Sequence, residues 1–132
     1  MTRRAFVLPL LLLSTPAAAE WRLVGQDDFS KVYLDATSRE TLADRSVRVR
    51  ALTDYDPQAR EAASFKLSEK GLSEIEQVVF DCEKHAYRSD GGDWREGHMA
   101  AGATRSVYPA TQSWSKVPSF YAGLFAKACA RD

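Results

Sequence analysis

Cys82 and Cys129 are the only two cysteines among the 132 residues, 47 positions apart, and what they do constrains the fold more than any other feature. Thiols pair in an oxidising compartment and stay reduced in the cytosol, so the question is first one of export. The sequence opens MTRRAFVLPLLLLSTPAAAE: Arg3 and Arg4 supply charge, Ala5 to Leu13 form an apolar run interrupted only by Pro9, and Ala17 and Ala19 are the small residues before Glu20. This is the three-part pattern of a secretory signal cleaved after Ala19. The apolar run falls well short of the roughly 20 residues that cross a bilayer, so no membrane span is expected after cleavage. No cysteine follows the cleavage point to carry a lipid. The chain is therefore expected to pass the inner membrane and reside in the periplasm or at the cell surface.

With export granted, one intramolecular disulfide is the simplest use of two cysteines; a reactive thiol or an intermolecular bridge is the alternative. No CxxC redox motif is present. Closing a loop of this length contributes about 4 kcal/mol in the chain-entropy model. Removing residues 1–19 leaves 113 of the 132, enough for a single domain over 20–132. Two of the 18 basic residues leave with the signal, so 16 face 18 acids and the mature net charge is −2. That near-balance argues against general nucleic-acid binding, which needs an excess of Lys and Arg.

Hydrophobic periodicity predicts a mainly β chain of the α+β class. Trp21 to Val24 and Lys31 to Asp35 read as a hairpin around the Gln26-Asp27-Asp28 turn. Polar Ala36 to Arg45 is expected to hold a brief helical turn capped by Thr37 or Ser38. Ser46 to Tyr55 alternates Val47, Val49, Ala51, Thr53 and Tyr55 with Arg48, Arg50, Leu52 and Asp54, the signature of a half-buried strand. Gln58 to Glu69 admits helix or strand. Glu74 to Cys82 is the next strand, with Val78, Phe80 and Cys82 in one phase and Ile75 and Val79 in the other, which predicts a bulge or burial on both faces. His85 to Ser89 returns antiparallel, Asp90-Gly91-Gly92-Asp93 reads as a flexible turn, and Gly97 to Tyr108 holds one further strand. After Pro118-Ser119, Phe120, Tyr121, Leu124, Phe125, Ala128 and Cys129 form a helical stripe. Cys82 and Cys129 then both point into one core, giving a small antiparallel sheet with a short C-terminal helix tied to it.

The order of these features resembles the surface-adhesin protein E family. A signal is followed by Glu20-Trp21 and Tyr33-Leu34-Asp35. Leu52-Thr53-Asp54-Tyr55, Val79-Phe80-Asp81-Cys82 and Tyr87-Arg88 come next, and Trp114-Ser115-Lys116-Val117-Pro118 leads into the closing helix. The resemblance covers nearly the whole mature chain. It implies an antiparallel sheet with a packed C-terminal helix and a disulfide. It also implies binding to host matrix or serum proteins, as for the best-known member, and admits a homodimer. The stretch from Ser64 to Ser73 looks inserted relative to the family pattern.

Candidate chemistry is sparse. His85, Asp90, Asp93, Glu96 and His98 are metal-ligating types, but no HxxxH or HExxH spacing sets them on one rigid face, so a solvated loop is the expectation. No GxSxG, GxGxxG or P-loop pattern occurs, and no cofactor is expected. Neither Asp27-Asp28 nor Asp54-Tyr55-Asp56 has the twelve-residue calcium loop. Arg48 and Arg50 share a strand face and either meet an acidic partner or pair with Glu74 and Glu76 on a neighbouring strand. Trp94, Trp114 and Tyr108, expected in loops, are candidate protein anchors or edge packing. The sequence thus points to an exported, non-enzymatic binding protein with a protein partner. A structural partner of an envelope assembly is the runner-up, and a metal-dependent hydrolase built on His85 and His98 a third reading.

Overall fold

The computed structural model describes residues 19–64 and 70–130. The expected leader and most of the ambiguous Gln58 to Glu69 segment's second half lie outside the described residues. Among the described residues there are eight strands: β1 (Trp21–Gln26), β2 (Ser30–Asp35), β3 (Glu40–Thr41), β4 (Val47–Tyr55), β5 (Leu72–Asp81), β6 (Ala86–Glu96), β7 (Thr104–Tyr108) and β8 (Ser115–Lys116). They form one antiparallel sheet in the order β1-β2-β4-β5-β6-β7, with β3 on β4 and β8 on β6. Two short helices complete the fold, α1 (Arg60–Ser64) and α2 (Ala122–Ala128), the second entered through a 3₁₀ turn at Ser119–Tyr121. The mainly β, α+β architecture expected from periodicity is the one observed.

Cross-strand register assigns every side chain to a face, because the pleat has period two. Val47, Val49, Ala51, Thr53 and Tyr55 of β4 stand opposite Phe80, Val78, Glu76, Glu74 and Leu72 of β5. Those five pairs define the helix face. Over its first half α2 packs Leu124 and Ala128, with Tyr121 before them, against Val47, Val49, Val78 and Phe80, all buried. Over its far end α1 sets Ala62 against Leu72, flanked by Tyr55 and Trp94. Fully burying a Val, Leu or Phe contributes about 1.5–3 kcal/mol each, so the α2 half carries most of the stability. The disulfide joins Cys82, just past β5, to Cys129, just past α2, with Cα atoms 5.7 Å apart. It pins the helix to the sheet where their apolar surfaces meet.

Two local readings of the sequence are corrected. Asp90-Gly91-Gly92-Asp93 is no turn: it runs through the middle of β6. Opposite Gln77 alone, β6 places both Asp90 and Gly91, an extra residue whose φ of 98° suits glycine. Near the end of β5 the expected burial on both faces is observed, with Val78, Val79 and Phe80 all buried, and the bulge lies on β6. Between residues 36 and 45 there is no capped helical turn; Ser38 instead donates to the Asp35 carbonyl and accepts from Arg50 N–H, and β3 follows.

Candidate functional site

On the helix face, between the parts covered by α1 and α2, the sheet floor is polar where a core would be apolar. Thr53 and Glu74 are direct cross-strand partners there, with Glu76 two residues along β5. The Tyr108 hydroxyl stands 2.8 Å from Glu74 Oε2 and 3.2 Å from Glu76 Oε2. Tyr121 donates to Glu76 Oε1 at 2.6 Å. A phenol has one proton, so Tyr108 satisfies one carboxylate at a time. Burial, then the charge of Glu76, pushes the Glu74 carboxyl up to about 7, with Glu61 and Asp93 adding and the Tyr108 hydrogen bond opposing. Burial first, and the same carboxylates second, hold the Tyr55, Tyr108 and Tyr121 phenols protonated well above the usual range.

Beside these carboxylates lies a cavity of about 740 Å³ whose walls include Phe29, Thr53, Tyr55, Glu74, Trp94 and Phe120. Trp94 and Tyr55 rings meet at 5.6 Å. Phe29 and Phe120 form the rim, 51% and 46% exposed. Thr53 is 2% exposed, yet its Oγ1 has no hydrogen-bond partner among the described residues. Buried polar atoms are normally satisfied, so this one stands out.

The opposite face of the sheet carries a row of charges beside Leu52, Ile75 and Val79, which are buried there. Arg48 reaches Glu40 at 2.7 Å and Asp90 at 3.2 Å. Arg50 lies 3.9 Å from Asp35 and stacks over Trp21, and Arg88 pairs with Asp90 and stacks over Trp114 at 5.3 Å. Arg48 and Arg50 therefore do not pair with Glu74 and Glu76: the register puts those acids on the helix face and the arginines on the other. Trp94 and Tyr108 are strand residues of β6 and β7, whereas Trp114 is in a loop and 42% exposed.

His85 and His98 flank β6 at its two ends, separated by on the order of 30 Å of extended chain. His85 packs on Phe125 at 4.9 Å, and His98 Nδ1 lies 2.9 Å from Asp54. Asp90, Asp93 and Glu96 are held by Arg88, Arg95 and Arg105. The loop constellation weighed from sequence is thus pulled apart by the strand. Sequence reasoning missed Thr53, Glu74, Glu76 and Tyr121 as a site. Their signal was present: Glu74 and Glu76 fall in the phase of Val78 and Phe80, so two acids sit on the core side of a strand.

The model of the surface-adhesin protein E family matches residues 21–130. The chain belongs to the surface-adhesin protein E family. The match spans β1 through α2, so the sheet, the polar floor and the charged face all lie within the adhesin E unit. No curated protein and no solved structure matches the chain. A surface-adhesin family goes with an exported or surface role and with a binding rather than a catalytic protein. Among the described residues, no helix is long and apolar enough to cross a membrane.

Proposed function

We propose that this chain is an exported, non-enzymatic adhesin-like module that binds a host matrix or serum protein through the charged face of its sheet. Family membership supports the adhesive class. The observation that carries the choice of face is the pair of Arg–Trp stacks: Arg50 over Trp21 at 5.4 Å and Arg88 over Trp114 at 5.3 Å. α1 and α2 pack on the other face, which leaves these amphipathic pairs part-exposed on this one, with Arg50 33%, Arg88 22% and Trp114 42% exposed. Trp and Arg are the residue types that most often dominate interface energy, and stacking pre-orders the long arginine chain. Arg48, held between Glu40 and Asp90, adds a guanidinium in the same row.

The test is saturable binding of purified residues 20–132 to immobilised matrix and serum proteins. Trp114→Ala and Arg88→Ala should each weaken binding at least about tenfold, as truncated hot-spot residues do. Melting should stay within a few degrees, because Trp114 is exposed. Capture of an envelope protein alone, with no matrix or serum ligand bound, would replace this reading with the structural-partner one.

A further inference from the structure

The aromatic cavity on the helix face is separate from the charged face, and its floor is unusual. Thr53 lines the cavity, and its Oγ1, buried beneath, has no hydrogen-bond partner among the described residues. Its cross-strand partner Glu74 brings a carboxyl to the same floor. Around them, Tyr55, Trp94, Phe29 and Phe120 supply ring faces and edges. Among the described residues, Asp27 and Glu61 add negative charge to the lining, against Arg60 as its one cation. Such a site asks for a ligand with an apolar stem and a positively charged donor at its tip. The stem suits the aromatic walls, the donor suits both Thr53 Oγ1 and Glu74, and a cation is attracted to the ring faces as well.

We propose that this cavity is a lysine pocket: it receives the side chain of a lysine presented by the protein partner, with the ammonium on Thr53 Oγ1 and the Glu74 carboxylate. The assignment of a protein source rests on the adhesin-like reading above; the ammonium chemistry does not. An arginine fork would need a planar pair of acceptors, whereas Thr53 and Glu74 offer separate acceptors that a three-donor ammonium can meet. Glu76 is already held by Tyr121, whereas Glu74 shares the Tyr108 hydroxyl with it, which leaves Glu74 as the floor's adaptable acceptor.

The test titrates residues 20–132 with Nα-acetyl-lysine methylamide, following the Thr53 amide and Trp94 indole signals by NMR at pH 8. Saturable shifts at both are expected. The norleucine analogue, with the same stem and no ammonium, should bind at least about tenfold more weakly, the loss expected for a hydrogen bond to a charged group. Glu74→Gln and Thr53→Val should each weaken the lysine probe by a similar factor. Phe120→Ala, at the exposed rim, should weaken it with unchanged melting, which guards against a floor variant that fails to fold. Equal binding of the norleucine analogue, or full binding by Glu74→Gln, would overturn the pocket. Butylamine binding as tightly as the capped lysine would make it a small-amine site and overturn the protein source. Trp114→Ala should leave this titration untouched. Loss of matrix binding with the lysine titration intact would therefore sink the adhesive reading alone.

Discussion

Tyr108 occupies the space that a side chain at residue 92 would need: a Cβ on Gly92 would collide with the Tyr108 hydroxyl and ring, and with the Ile75 carbonyl oxygen. The two are cross-strand partners on β6 and β7, and the bare glycine lets the phenol lie across the sheet to reach Glu74 and Glu76. Gly92→Ala should therefore lift Tyr108 off both carboxylates and destabilise the fold by about 2–3 kcal/mol, the range for leaving buried polar groups unsatisfied. Urea unfolding measures it. A change within 0.5 kcal/mol would show that the ring has room to move.

Glu74 should make the protein less stable as pH rises. Its folded-state pKa is about 7 against 4.5 ordinarily, so between those values the folded state holds more protons than the unfolded one. The slope of unfolding free energy with pH is then negative for this group. Its contribution is full below pH 4.5 and lost by the time pH has passed 7. Burial sets this first and the charge of Glu76 second, with Glu61 and Asp93 adding and the Tyr108 hydrogen bond opposing. Comparing wild type with Glu74→Gln at pH 5 and pH 8 isolates the effect. The variant should gain on wild type between those points, by up to about 3 kcal/mol at roughly 1.4 kcal/mol per pKa unit. Parallel pH profiles would mean that Glu74 titrates normally.

Opening the Cys82–Cys129 bridge should loosen α2 from the sheet. Cys82→Ser is expected to cost about 2–5 kcal/mol, the usual loss in a small exported domain. Because Leu124, Ala128 and Tyr121 depend on α2 being docked, near-ultraviolet circular dichroism should weaken along with the melting temperature. Coincident melts of oxidised wild type and variant would assign the bridge no structural weight.

Export should remove residues 1–19. Intact-mass analysis of secreted protein is expected to show Glu20 as the first residue, which in the fold donates its backbone N–H to Asp35. Recovery of exported chains that retain Met1 would refute cleavage at Ala19.

Much of the fold was legible because burial follows strand parity. Val47, Val49 and Ala51 are buried where alternation put them, and the stripe from Tyr121 to Cys129 docks as its helical spacing required. What could not be read was anything that depends on a neighbour several strands away. Gly91-Gly92 has the chemistry of a turn, and only pairing with β5 and β7 makes it a bulge and a cradle for Tyr108. Arg48 and Arg50 find acids on β2, β3 and β6 because the register denies them Glu74 and Glu76. The cavity itself lies where the turn before β2 and strands β4, β5 and β6 bring Phe29, Thr53, Glu74 and Trp94 together, a placement that no local pattern encodes.

The bulge at Asp90 and Gly91 has a consequence for how β6 tolerates changes of length. Upstream of it odd-numbered residues, Tyr87 and Ser89, share the helix face; downstream even-numbered ones, Gly92 and Trp94, do. Deleting Gly91 would restore an unbroken pleat and invert the outer half of the strand. Asp93 and Arg95 would then turn toward the floor now faced by Trp94, while the indole moved to the outer surface. A single codon lost at this point would exchange an aromatic wall for a zwitterionic one, while β4 and β5 beneath it kept their pairing.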